Sequence, residues 1–480
     1  MKRWLASFIG LLLSLTAVFA DAPHHRPVWM GGNAPVFYAN FAAASTVPSG
    51  LTYTSAGGGY CWNAAGVLVG PLAANTPCFD HNPSTLAALG LRSEPQRTNA
   101  LHSSGSFGAS PGSPGVLPTG WSIAPLNGLV QTVAGTGAES GIPYVDINFA
   151  GTTSAAGATV VYYDGTTAIP ALTGQTWTAS HFAKISGGSV ANITGFSFAL
   201  NEWTSAGVFV SNGGASNSSV PTTAALNTQR QQFSRVLNGG GTTAYVNSTL
   251  SFSYNSGVAI NITLRLSAQI EQNASATSPI LTYGTAVMVP ADNWPFTGAA
   301  LAQLLSGKAC IAIQILAESP VVVGRVFAVD DGSLNNRLLI SSYGSTAAGR
   351  FFGSGANGFA LDQYVFGGDQ SVSPRTLAFS WARGALPQAA YDGVLMTGQA
   401  VAGSPAGMTA AYLGKDGSGG PAFFGWFQQT MIRPSCTTAQ VQRYSTAGVN
   451  LQAENDGDWP VFAANDNLPL IVKLASGEWR

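Results

Sequence analysis

Residues 259–271 read AINITLRLSAQIE, and apolar and polar side chains take strict turns along them. Ile260, Ile262, Leu264, Leu266, Ala268 and Ile270 alternate with Asn261, Thr263, Arg265, Ser267, Gln269 and Glu271. A period of two places the first set on one face of a β-strand and the second on the other. A helix would scatter the apolar set around its circumference. The expectation is a strand with one buried face and one wet face. ATVVYY, QTWTASHFAK, ITGFSFAL and TLSFSY repeat the habit between Gly, Asn and Ser turns. Short strands at regular spacing predict a β-sandwich.

The pattern resumes further on. CIAIQILA turns Ile311, Ile313 and Ile315 to one face, and TLAFSWA does the same with Leu377, Phe379 and Trp381. Asp392-Gly393 sits between two apolar pairs in AAYDGVLM, a hairpin signal because both turn positions need positive φ. FFGWFQQTMIRP predicts a late strand, and CTTAQVQRYS a short helix capped by Thr437 or Thr438. The fold class expected is all-β, with two β-sandwich (jelly-roll) domains in tandem at 111–285 and 298–450, joined by AVMVPADNWPFT. Residues 50–110 read as a hairpin and a clip segment, 21–49 as an irregular lead-in, and 451–480 as a tail whose LPLIVKL run is an edge strand or part of that tail.

Composition narrows the setting. Charged residues make up 9% of the 480, against roughly 25% in an average soluble protein. A hydrophobic share of 46% excludes a disordered chain, and 58 glycines fit a turn-rich extracellular or virion surface. The formal net charge is −1 and no basic block exists, so nucleic acid is not an expected partner. MKRWLASFIGLLLSLTAVFA reads as a secretory signal: Lys2 and Arg3, an apolar run to Phe19, then Val18 and Ala20 at the −3 and −1 positions. Cleavage is expected after Ala20, giving a secreted, extracellular or periplasmic protein. The alternative is an uncleaved anchor, for which the run is short against a ~20-residue span. Four cysteines allow three pairings. Cys61 and Cys78 flank a local excursion, while Cys310 and Cys436 lie in the first and last strands expected of the second domain, which favours those two pairs. No Cys/His spacing supports zinc.

Candidate chemistry is sparse. Asp80, His81, Arg92, Glu94 and Arg97 crowd into one stretch of a charge-poor chain. Asp80, Glu94, Arg97 and Asn99 are expected to form a structural clip tying the segment to the first sandwich. In it Arg97 reaches Asp80 or buried carbonyls, and Asn99 bonds its own backbone in a turn. The competing reading is a catalytic cluster, which needs a water-excluding pocket and a positioned nucleophile or metal. GxSxG at 108–112 and GxGxxG at 353–358 lack the helix their chemistry requires. Asp330 and Asp331, with Asn335 or Asn336, are a candidate Ca²⁺ group whose plainer reading is a solvated turn, and Asp456 and Asp458 are read the same way. The adjacent His24 and His25 read as solvated tail residues. Trp203 beside Asn201, and Tyr364 beside Asp362 and Gln363, are candidate sugar-stacking positions. Trp177, Trp381 and Trp426 are expected in the core.

YCWNAAGVLVGPLAANTPCFDHNP followed by GLRSEPQRTN resembles the N-terminal signature of bacteriophage and prophage tail or fibre proteins. The matching positions are Asn63, Gly66, Thr76, Pro77, Phe79, Asp80, Gly90, Leu91, Glu94, Arg97, Thr98 and Asn99. GIPYVDINFAGT, LTGQTWTASHFAKI and LRLSAQIEQNASATSPI extend the resemblance, which implies a carbohydrate-binding-module-like jelly roll. From CIAIQIL to VQRYS the chain resembles a laminin-G or concanavalin A-like sandwich, most specifically in FFGWFQQTMIRPSCTTAQVQRYS. The family carries a basic residue where Cys78 stands and no cysteine at Cys61, so the two departures together favour a bridge. A cleavable signal is also a departure, and suggests a prophage module now exported. The resemblance implies a non-catalytic protein that binds a surface polysaccharide or other glycan, with no cofactor and an open question of homo-oligomers. A glycoside hydrolase or lyase of the same fold is the alternative, against which the absence of an ExDxxE run stands. A purely structural virion or envelope component is the other.

Overall fold

The computed structural model describes residues 34–451 apart from 213–219, 319–323, 344–347, 355–359, 367–372, 384, 397–398, 401–405 and 447. The expected signal peptide, His24, His25, Asp456, Asp458 and LPLIVKL lie outside the described residues. The regular structure described is almost all antiparallel sheet, with two short helices.

One sandwich faces a 5-stranded sheet onto a 6-stranded one. The first runs in the order Arg230–Val236, Thr176–Gly188, Ala259–Glu271, Ile142–Thr152, Leu129–Glu139. The second centres on Tyr245–Tyr254, flanked by Ile193–Trp203 and Gly157–Tyr162. Alternation along the strands does what the pattern requires: Ile260, Ile262, Leu264, Leu266, Ala268 and Ile270 are all buried, packed with Ile147, Phe149, Phe198 and Phe252. Each Ile, Leu or Phe among them contributes on the order of 1.5–3 kcal/mol. The opposite face of Ala259–Glu271 is wet over only half its length. Ser267, Gln269 and Glu271 are buried because the 99–104 and 277–282 segments lie across them. Ser267 Oγ donates to the Ser104 carbonyl, Ile280 N to Gln269 Oε1, and Thr277 N to Glu271 Oε2. A polar residue on a strand can thus be covered when its partner is polar backbone.

His181 stands inside this core, 1% exposed, stacked on Phe198 at 3.8 Å with Nδ1 3.0 Å from the Tyr163 hydroxyl. Burial lowers its pKa to about 3. The folded value lies below the unfolded value of roughly 6.5, so the unfolded chain binds the extra proton. Stability is therefore complete above pH 6.5 and declines as pH falls towards 3. Between pH 7 and 4.5 this one group withdraws about 2–3 kcal/mol. His181→Gln, which keeps a partner for Tyr163, is expected to lose that much less than the wild type over the same interval in urea unfolding. Parallel losses in the two proteins would show that His181 does not titrate this way.

The other sandwich joins an 8-stranded and a 7-stranded sheet. In the 8-stranded sheet, Lys308–Ala317 lies between Arg375–Ala382 and Gly425–Arg433. Asp392 and Gly393 make the expected turn, at φ 46° and 83°. Thr437 caps the Thr438–Tyr444 helix in a reciprocal capping box with Gln440. A second helix, Gly298–Leu305, was not expected. It buries Ala300 and Leu304, one turn apart, against this core. The disulfides are Cys61–Cys78 and Cys310–Cys436.

The N-terminal region departs from expectation. Phe37–Asn40, within the supposed irregular lead-in, is a strand paired with Gln429–Ile432. Ala88–Ser93, in the segment expected to serve the first sandwich, pairs with Gly425–Phe427, and Phe79–His81 pairs with it in turn. Phe37 and Leu91 sit in the same core as Ile311, Phe379 and Phe427. The reason is complementarity at an edge. Gly425–Arg433 offers unpaired backbone groups beyond Lys308–Ala317, and Phe37–Asn40 and Ala88–Ser93 pair with them. Gly90 permits the approach: it adopts φ +110°, and a Cβ there would stand 2.3 Å from the Phe427 carbonyl oxygen.

Candidate functional site

The stretch from Phe79 to Asn99 is drawn tight around a buried guanidinium. Arg92 and Asp80 are 5% and 2% exposed. Arg92 meets the Asp80 carboxylate at 3.3 Å, lies 3.5 Å from that of Glu94, and donates to the Tyr60 carbonyl. Burial opposes the charge on Arg92, but Glu94 and Asp80 outweigh it and hold the group protonated. Asp80 accepts in addition from the Trp62 amide at 2.8 Å and the Trp426 indole at 2.9 Å. Glu94 accepts from the Ser278 amide and hydroxyl at 2.8 and 2.9 Å. Asn99 donates to the Ile280 carbonyl and accepts from Ile270 N and, two residues on, Leu101 N.

These contacts revise the clip in two ways. It reaches both sandwiches, because Trp426 belongs to one while Ser278, Ile280 and Ile270 belong to the other. Its keystone is Arg92, not Arg97. Arg97 donates to the Gln96 carbonyl and lies over the Phe424 ring at 5.9 Å.

The clip also closes one side of a cavity of about 210 Å³ between the sandwiches. Trp62, Phe182 and Trp426 supply aromatic walls from three separate parts of the chain. Trp426 is only partly buried, so it is wall rather than core, whereas Trp177 and Trp381 are core. His81, Asn82, Asn227, Arg230 and Glu318 bring polar groups to the same space.

Several of those groups are unsatisfied. Asn227, 8% exposed, donates through Nδ2 to the Gly66 and Pro83 carbonyls, leaving its buried Oδ1 without a partner. Arg230 donates to Ser180 Oγ and the Thr277 carbonyl while its buried Nε has none. The Glu318 carboxylate receives no hydrogen bond among the described residues, and burial pushes its pKa up to about 7. Glu318 is half-buried; for the fully buried Asn227 Oδ1 and Arg230 Nε, each unmet group costs on the order of 1–3 kcal/mol. Unmet groups converging between aromatic rings form a place for a polar ligand with an apolar face. Sequence reasoning missed Glu318, Asn227, Arg230 and Trp62 because they are far apart in the chain. Glu318 offered the clearest signal, a carboxylate directly after the apolar Lys308–Ala317 strand.

The other candidates fall elsewhere. Trp203 and Asn201 share the outer face of the 6-stranded sheet, opposite Phe198 and Leu200. Their polar groups are spent internally: the Trp203 indole donates to Asn247 at 3.0 Å, and Asn201 donates to Asn247 and Thr249. The Trp203 ring meets Phe209 edge-on at 5.6 Å, and Phe209 is 51% exposed. Tyr364 lies in a strand of the other sandwich, and its side chain is outside the described residues. Asp330 accepts from Gly332 N and Gly417 N, and Asp331 from Ser333 N and Asn336 Nδ2, so the Ca²⁺ candidates are engaged by protein donors. Gly355 to Gly358 of the GxGxxG match lie outside the described residues.

No family model matches the sequence, and no curated protein matches it. Among solved structures, the carbohydrate-binding module CBM40 of a Ruminococcus gnavus IT-sialidase is similar at 12% identity and TM-score 0.26, over 31% of this chain and 88% of that one. Domain 4 of an extracellular GH43 arabinanase from Geobacillus stearothermophilus, in complex with arabinotriose, is similar at 15% identity and TM-score 0.27, over 36% and 81%. Domains LG4-5 of the mouse laminin alpha1 chain are similar at 12% identity and TM-score 0.22, over 57% and 86%.

Proposed function

We propose that this chain is an exported, non-catalytic glycan-binding protein of the phage-tail type its sequence resembles, and that the cavity between the sandwiches holds one sugar ring. The observation that carries this reading is the pairing of aromatic walls with unmet polar groups in one small space. Trp62 and Trp426 are the rings for stacking, Phe182 lies under Arg230, and Asn227 Oδ1, Arg230 Nε and the Glu318 carboxylate are left for hydroxyls that both donate and accept. At about 210 Å³ the cavity falls below the roughly 300–1,000 Å³ of drug-sized sites, which suits a single ring at a chain end.

Hydrolysis needs a second free carboxyl beside the acid. Glu318 has a pKa suited to an acid, but Asp80 and Glu94, which line the same cavity, are spent on Arg92, Trp426 and Ser278. That arrangement supports binding without turnover.

Leu89 borders the cavity and is only partly buried, so Leu89→Trp should plug it without disturbing the Arg92 cluster. The wild-type protein is expected to bind glycans on an envelope-polysaccharide array, and Leu89→Trp to lose at least about tenfold in affinity with melting unchanged. Absence of any glycan ligand, or binding indifferent to the plug, would refute the proposal.

A further inference from the structure

Resting on that reading, we infer that the ring taken by the cavity carries a free amino group, held as its ammonium against the Glu318 carboxylate. Three observations converge on it.

The first is charge. Asp80, Glu94 and Glu318 line the cavity against Arg92 and Arg230, three carboxylates to two guanidiniums. Arg92 is consumed by Asp80, Glu94 and the Tyr60 carbonyl, so it offers an incoming anion nothing. A cation completes the balance, and an anion worsens it.

The second is the donor and acceptor inventory. The unmet acceptors are the Glu318 carboxylate and Asn227 Oδ1. His81 lines the same space and spends Nδ1 as a donor to the Trp62 carbonyl, 3.3 Å away. The unmet buried donor is Arg230 Nε. Acceptors in excess call for a ligand rich in donors, and an ammonium brings three with no acceptor. The third observation is the walls. Trp62, Trp426 and Phe182 line the cavity, and the Arg230 guanidinium already lies over the Phe182 ring at 5.8 Å, so these are rings to which a cation is drawn.

The same arrangement accounts for the raised pKa of Glu318, to about 7. Burial dominates; Arg230 and Arg92 lower the value, and Glu94 and Asp80 raise it. These four groups and His81 are the charged or titratable residues facing Glu318 among the described residues lining the cavity. A bound ammonium favours the ionised carboxylate, so the amino sugar should bind more weakly as Glu318 takes up its proton.

The test is titration calorimetry of the full chain with glucosamine, N-acetylglucosamine and glucose at pH 7.5 and 5.5. Glucosamine is expected to bind at least about tenfold more tightly than the other two at pH 7.5, and that advantage to shrink by about tenfold or more at pH 5.5. In Glu318→Gln, which removes charge from a carboxylate holding no protein donor, glucosamine should lose its advantage and fall to the level at which the same variant binds glucose. Equal binding of the three sugars, or a preference for glucosamine that survives Glu318→Gln, overturns the amino-sugar inference and leaves glycan binding standing. Binding of none of them, together with a glycan array blank for wild type, removes both.

Discussion

Arg92→Ala is expected to cost about 3–5 kcal/mol, a large part of the stability of an ordinary domain. The loss arises from what the guanidinium leaves behind. Asp80 and Glu94 would remain buried at 2% and 8% exposure with no cation between them, and the Tyr60 carbonyl would lose a donor. Because the cluster joins strands of both sandwiches, the damage should not stay local. Arg97→Ala is the control. That side chain gives one hydrogen bond, to the neighbouring Gln96 carbonyl, and overlies Phe424, so about 1 kcal/mol or less is expected. Urea unfolding of the two variants decides the matter. Equal effects, or a cost below about 1 kcal/mol for Arg92→Ala, would mean that the cluster is not the keystone described above.

Removing the Cys310–Cys436 bridge by a double serine substitution should cost as much. The two residues are 126 apart in sequence, against 17 for Cys61 and Cys78. In the chain-entropy account, a closed loop of the longer span is worth about 4–5 kcal/mol and one of the shorter about 3 kcal/mol. The longer bridge also fastens the end of the Gly425–Arg433 strand and the start of the Thr438–Tyr444 helix to Lys308–Ala317, where Cys310, Met431, Val441 and Tyr444 form a small core of their own. Denaturant midpoints of the two double variants, each measured with the other bridge intact, should fall in that order. The reverse order would exclude loop closure as the source of the stability.

What the sequence discloses follows from how far each signal reaches. The strand at Ala259–Glu271 carries its signal in thirteen consecutive residues, and the Asp392-Gly393 turn in two. Such features are local, so alternation and turn chemistry reveal them. Phe37–Asn40 is four residues long, too short for a period to show, and its partner lies almost the whole chain away. The charged stretch around Arg92 was visible as an anomaly of composition. Which arginine held Asp80 was not, since Arg92 and Arg97 differ only in where their strands point them. The cavity was least legible, because Trp62, Phe182, Asn227, Arg230, Glu318 and Trp426 become neighbours only once both sandwiches have closed on the clip. The aromatic and amide at Trp203 and Asn201 advertised themselves by adjacency, and the structure shows those polar groups already paired.

The completion of the Gly425–Arg433 edge by Phe37–Asn40 and Ala88–Ser93 has a consequence for biosynthesis. These early strands leave the ribosome before all of the first sandwich, and their docking surface is made last. Until then they carry naked edges and greasy side chains with nowhere to go, the condition under which nascent chains stick to one another. The intervening sandwich can finish meanwhile, and in doing so brings the two distant ends of the chain within reach. Maturation is thus a race between that closure and self-association.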